Sequence, residues 1–169
     1  MNTSTTSGAP GTPGPANDIL VGMGQIAAGK TPQRMRAILG SCIGVALYHP
    51  GRKTGILAHV VLPESAGWDG SPGKFADTAV PQMLAILREQ GMPTYGLTAK
   101  LAGGANMFNG SGPLKIGDAN AEAVAAALKK AGVPVAGQDV GGTHGRRIEF
   151  DCASGEMTIQ SAGRPARTL

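Results

Sequence analysis

The sequence predicts an α+β fold, with mixed or antiparallel sheets layered against two long helices. Three features lead there. Apolar runs of strand length cluster instead of alternating strictly with helices, which argues against a doubly wound parallel sheet. Only two stretches, near residues 74–90 and 118–130, carry apolar side chains at helical spacing. Several of the strand-like runs are joined by turns short enough to make antiparallel pairing the default. With 169 residues, 41% of them hydrophobic, the chain suits one domain around one core.

Residues 1–17 (MNTSTTSGAPGTPGPAN) have almost no apolar side chains with which to offset their ordering entropy, so a disordered tail is expected there. The domain then spans 18–162, and the polar residues 163–169 fray. Ile19 to Ala27 reads as a first strand. Met35 to Leu39 is a second, after the Gly29-Lys30-Thr31-Pro32 turn, and Ile43 to Tyr48 a third, ended by Pro50-Gly51. The fourth, Gly55 to Leu62, alternates: Ile56, Ala58, Val60 and Leu62 point one way, and Leu57, His59 and Val61 the other.

A polar, glycine-rich loop, Glu64 to Gly73, carries the only tryptophan, Trp68, and suits a lid or a partner-contact surface. Lys74 to Gln90 has the helical stripe Val80, Met83, Leu84 and Leu87, with Pro81 expected to mark the start of regular helix. Leu97 to Ala102 is a strand entering the glycine-rich bend Gly103-Gly104, and 110–117 is a loop. Asp118 is placed to cap a second helix through Lys130, closed by Gly132 and Pro134. Val133 to Val140, Arg146 to Cys152 and Glu156 to Gln160 complete the set, the last two as a hairpin.

Composition removes several classes of function. With no CxxC and with His49, His59 and His144 scattered, no metal site is expected, and nothing calls for a cofactor. Aromatic residues make up only 4%, so stacking platforms for nucleic acid are poorly supplied. The net charge of +4 suits an acidic protein partner instead. No run approaches the roughly 18 apolar residues of a membrane helix, and the start lacks a secretory pattern, so the expectation is a cytoplasmic protein without membrane insertion.

Chemistry concentrates in two apolar runs. Cys42 lies between Gly40 and Gly44 at a strand start, and His59 sits in the next strand, where a hairpin would close the distance between them. Thiol and imidazole are the two parts that thiolate chemistry needs, one to attack and one to move the proton. Glycines beside the cysteine free backbone N–H groups to hold an oxyanion, which makes Ser41 and Gly44 supporting candidates. A lone cysteine in an apolar setting is most often a small core residue, and a histidine on an apolar strand face is usually a core residue too. The joint arrangement raises the odds of chemistry. Cys152 has no histidine near it in sequence and reads as structural, and the basic loop around His144 reads as solvated.

These residues carry a resemblance. The LGSC-I-G-V segment at Leu39 to Val45, A-H-x-x-L-P at Ala58 to Pro63 and K-F-A-D-T-A at Lys74 to Ala79 resemble the CheD family of chemoreceptor glutamine deamidases. So do G-G-A-x-M-F at Gly103 to Phe108, I-G-x-x-N at Ile116 to Asn120 and D-x-G-G-x-x-G-R at Asp139 to Arg146, in the same order along the chain. The resemblance implies an α/β/β sandwich similar to the cytotoxic necrotizing factor toxins, with Cys42 and His59 catalytic. It implies action on glutamines in the cytoplasmic helices of methyl-accepting chemoreceptors. It also implies docking to a CheC-type phosphatase, so a regulatory binding module is the alternative role; a monomer is expected in either case. The family's threonine six positions before the cysteine is Arg36 here, which leaves Thr31, Ser41 or a backbone carbonyl to orient the imidazole. Asp118-Ala119 stands where an arginine would precede Asn120.

Overall fold

The computed structural model describes residues 18–107 and 115–169, so the tail expected at 1–17 and most of the loop expected at 110–117 lie outside the described residues. The described strands are β1 (Asp18–Leu20), β2 (Ile26–Lys30), β3 (Arg34–Leu39), β4 (Ile43–His49), β5 (Thr54–Val60), β6 (Thr98–Gly103), β7 (Val135–Val140), β8 (Arg146–Asp151), β9 (Met157–Gln160) and β10 (Arg167–Thr168). Two helices join them, α1 (Ala76–Glu89) and α2 (Ile116–Ala131).

The strands form two mixed sheets, ordered β1-β3-β8-β9-β10 and β2-β5-β4-β6-β7. Side-chain alternation assigns the layers. From β4 and β5 of the second sheet, Ile43, Val45, Leu47, Ile56, Ala58 and Val60 pack against Ala79, Val80, Met83 and Leu87 of α1 and Val124 and Leu128 of α2. The opposite face sends Cys42, Ala46, Tyr48 and Leu57 into a second core with Met35, Leu39, Ile148 and Phe150 of the first sheet. The helices, the middle sheet and the outer sheet therefore stack as three layers. With both its faces covered, β4 is buried from Ile43 to Tyr48, as an apolar run at the centre of a layered sheet should be.

Several expectations are corrected. The single strand expected over Ile19 to Ala27 is two. β1 pairs in parallel with β3 in the outer sheet, and β2 pairs antiparallel with β5 in the middle one. Gly24, at φ +76°, turns the chain between them, a conformation that favours glycine. An apolar run looks the same whether it stays in one sheet or crosses to the next.

Helix α1 begins at Ala76, with the Ala79 N–H already donating to the Phe75 carbonyl, so Pro81 lies inside the helix and does not start it. The hydrogen bond that Pro81 cannot make is offset by the burial of Ala76, Ala79, Val80, Met83, Leu84 and Leu87 along one side. Asp118 stands within the first turn of α2, not at its cap, and its carboxylate accepts from the Asn106 amide at 2.9 Å. Gly132 closes α2 in the left-handed conformation, φ +73°. Residues 163–169, expected to fray, instead end in β10 against β9, where Leu169 and Met157 exchange both backbone hydrogen bonds. The β4–β5 and β8–β9 hairpins form antiparallel as expected. Among the described residues no helix is long and apolar enough to cross a membrane.

Candidate active site

The β4–β5 ladder runs from His49↔Thr54 to Ile43↔Val60, and it places Gly44 directly across from His59. Cys42 is two residues before Gly44, just beyond the last ladder pair, so Cys42 and His59 are diagonal neighbours whose Cα atoms such a sheet holds about 7–8 Å apart. Both lie on the face turned toward the outer sheet. Cys42 belongs to the inter-sheet core, and His59 shares its strand face with Leu57, which lies in that core, and Val61, which packs against it. The strands thus bring together the two residues that the sequence singled out. The thiol is 7% exposed and the histidine 4%. The side-chain hydrogen bonds of the described residues do not join Sγ to the imidazole, a contact that in such sites often tightens only when substrate binds.

The backbone of His59 is committed to the β2 side. Its N–H donates to the Gln25 carbonyl at 3.0 Å, and its carbonyl accepts from Gly24 at 2.8 Å. Gly44 and His59 are therefore a non-hydrogen-bonded pair, the type in which facing residues come closest. Gly44 turns its own N–H toward β6, where Ala102 is its partner. The oxyanion role expected of that N–H is thereby corrected, because the donor is already used in the sheet. Gly44 serves close packing instead: a Cβ there would stand 2.7 Å from Ile148 Cδ1 and 3.1 Å from Leu39 Cδ1 of the outer sheet.

The imidazole is held by main chain. His59 Nδ1 lies 3.0 Å from the Val21 carbonyl oxygen. A carbonyl only accepts, so Nδ1 carries the proton, and in the neutral ring Nε2 keeps the lone pair of a base. Val21 is fixed in turn by its N–H, which donates to the Arg36 carbonyl at 2.8 Å. Arg36 itself points to the outer face of the outer sheet. Its guanidinium pairs with Asp18 at 2.9 Å and with Glu149 at 2.7 Å. Position 36 thus reaches His59 through the Val21 main chain and not through a side chain.

The cysteine segment is clamped from β6. Gly104 N–H donates to the Cys42 carbonyl at 2.8 Å, and Ala105 N–H to the Gly40 carbonyl at 2.9 Å. Desolvation pushes the Cys42 thiol above the ordinary cysteine value, and its own backbone N–H opposes this less strongly. The resting sulfur is therefore a thiol at neutral pH, and attack requires a base to take its proton. Ser41 is half-buried beside the cysteine, and its carbonyl accepts from Asn120 Nδ2 at 3.0 Å.

Thr31 does not belong to this site. It is exposed in the turn after β2, with its N–H donating to the Lys53 carbonyl, at the far end of the β2–β5 ladder beside Lys30↔Thr54. Five residues of strand separate Thr54 from His59, about 17 Å. Sequence reasoning missed Val21, whose contribution is a carbonyl that any residue supplies. It passed over Asn120 and Gly104 as roles, although both stand in the motifs that carried the resemblance.

Comparison with known proteins identifies the family of the chain. The family model described as "CheD chemotactic sensory transduction" matches residues 61–161. A relative from Desulforamulus reducens, named probable chemoreceptor glutamine deamidase CheD, is 39% identical over 158 residues, covering 90% of this chain and 95% of its own. The chain belongs to the CheD family. Further relatives include one of the same name from Methanococcus vannielii, 43% identical over 84% of this chain and 94% of its own. A third, from Thermotoga maritima, is named chemoreceptor glutamine deamidase CheD and is 39% identical over 85% of this chain and 92% of its own. The family match begins at Val61, beyond Cys42 and His59, whereas the Desulforamulus reducens match leaves only a tenth of the chain outside it.

Proposed function

We propose that this chain is a protein-glutamine deamidase that converts glutamines of chemoreceptors to glutamate and releases ammonia through a thioester on Cys42. The observation that carries the reading is the diagonal placement of Cys42 and His59 on one face, with Nδ1 of His59 bound to the Val21 carbonyl. That bond leaves Nε2 as the base for a cysteine whose burial keeps it protonated at rest.

In this mechanism Nε2 takes the thiol proton, and sulfur attacks the side-chain amide carbon of the glutamine. The developing oxyanion is held by the Cys42 N–H, which lies outside the β4 ladder, a contribution of about 3 kcal/mol. The imidazolium returns the proton to the nitrogen, the C–N bond breaks, and ammonia leaves a thioester. Water then gives a proton to Nε2 and attacks the thioester; the C–S bond breaks, and the sulfur is reprotonated. The balance is one water consumed, one carboxylate formed and one ammonia released.

The substrate is a glutamine on a cytoplasmic helix of a chemoreceptor, and the enzyme works as a cytoplasmic monomer without a cofactor. Each turnover adds a negative charge to the receptor. The exposed Trp68 loop is one surface that could meet a receptor helix or a CheC-type phosphatase.

The test is ammonia release from a purified receptor cytoplasmic fragment, with Cys42→Ala and His59→Gln beside the wild type. Release by the wild type, abolished by Cys42→Ala and cut at least 100-fold by His59→Gln, is the expected result. A Cys42→Ala chain that still deamidates would refute the mechanism. A folded wild type that binds a CheC-type phosphatase but releases no ammonia would favour the binding-module role.

A further inference from the structure

We propose that Asn120 is a positioning residue for the thiol–imidazole pair, its amide acting as a side-chain rung between the cysteine and histidine strands where their backbone ladder has ended. The inference rests on reading Cys42 and His59 as the reacting residues. The last paired residues of β4 and β5 are Ile43 and Val60. Cys42 and Val61 come next, so the thiol sits where sheet hydrogen bonds no longer set the separation of the two chains.

Asn120 spans that gap. Its Nδ2 donates to the Ser41 carbonyl at 3.0 Å and to the Val61 carbonyl at 2.9 Å. The first carbonyl belongs to the peptide bond that ends at the Cys42 nitrogen; the second lies two residues past His59. With two carbonyls to satisfy, only the NH2 end of the amide can face them, so the orientation of the side chain is dictated by its partners.

The position is otherwise that of an apolar residue. Asn120 is completely buried, and it stands one turn before Val124 on the side of α2 that packs into the helix–sheet core. Among the described residues its Oδ1 is buried without a hydrogen-bond partner, a cost that an apolar side chain would avoid. The amide is there for its two donors. Helix α2 is also seated tightly enough to hold a position: a Cβ on Gly117 would lie 2.3 Å from the Gly104 carbonyl, and Gly104 itself grips the Cys42 carbonyl.

The experiment compares the full chain with Asn120→Asp, which keeps the shape and loses the NH2, and Asn120→Ser, a smaller neutral replacement. Two readouts are taken: steady-state deamidation of a receptor fragment, and the pH profile of Cys42 alkylation by iodoacetamide. In folded variants kcat falls about 100-fold while KM stays within about twofold, since a displacement near 1 Å is enough for such a loss. Alkylation at neutral pH slows, and its midpoint moves upward. A folded variant that keeps the wild-type kcat and alkylation profile while only its melting temperature drops overturns the proposal. Failure of both variants to fold also overturns it, assigning Asn120 to stability alone. A wild type that releases no ammonia sinks the deamidase reading instead, and the alkylation profiles then decide the role of Asn120.

Discussion

The Nδ1 atom of His59 and the carbonyl oxygen of Val21, separated by 3.0 Å, join the middle sheet to the segment where the chain leaves the outer one. Val21 follows directly on β1, and its N–H is anchored on the carbonyl of Arg36 in β3. An outer-sheet backbone therefore orients the ring of a middle-sheet histidine. An acceptor built from main chain is indifferent to the side chains around it, which explains how arginine is accommodated where the family resemblance led us to expect threonine.

Replacing Arg36 should accordingly leave the chemistry alone. Arg36→Ala loses ion pairs with Asp18 and Glu149 that are more than a third exposed on the arginine side, worth about 0–1 kcal/mol together. Urea unfolding should register that small loss, and kcat/KM for receptor deamidation should stay within about twofold. A 100-fold fall in kcat/KM would mean that the guanidinium takes part after all.

Gly103→Ala should be severe and Gly91→Ala mild. At Gly103, with φ +110°, a Cβ would stand 2.1 Å from the Cys42 carbonyl oxygen, so the residue can be accommodated only by moving the cysteine segment. A loss of about 2–5 kcal/mol in stability together with a large drop in kcat is expected. Gly91 also has positive φ, +72°, but nothing lies within 4 Å of the added atom. Its replacement should cost about 1 kcal/mol of backbone strain and leave kcat unchanged. Thermal melts and ammonia-release kinetics on the two variants check the contrast; equal activities would contradict it.

Stability should decline in alkali through Cys152. Burial pushes this thiol up to about 11 in the folded chain. An unfolded cysteine titrates near 8.5. Between those values the unfolded state has released a proton that the folded state still holds, so ν_U is smaller than ν_N and unfolding becomes easier as pH rises. The contribution is complete below the unfolded value and is lost on the way to the folded one, on the order of 3 kcal/mol. Melting curves across this window should fall less steeply for Cys152→Ala, even though that variant starts less stable from its cavity. Parallel slopes would rule the thiol out as the cause.

Much of the architecture could be read in advance because it depends on neighbours along the chain. The alternation in Gly55 to Leu62, the Pro-Gly turn after Tyr48 and the helical stripe from Val80 to Leu87 are local patterns, and each produced the element expected of it. The thiol–imidazole pair was legible for the same reason: one hairpin connects its two strands, so the turn almost sets their register. The sequence alone thus determined the strands that carry Cys42 and His59 and the hairpin register that makes them diagonal neighbours.

What lies between distant segments was decided only by the tertiary structure. That Ile19 to Ala27 divides between two sheets, that Thr31 falls at the opposite end of the ladder, that Val21 supplies the acceptor and that residues 167–168 add a last strand all depend on packing of one sheet on another. Hydrophobic periodicity reports which face of an element is buried, but not what it is buried against. A backbone carbonyl or an available N–H has no letter in the sequence, so its role exists only once the layers have closed on one another.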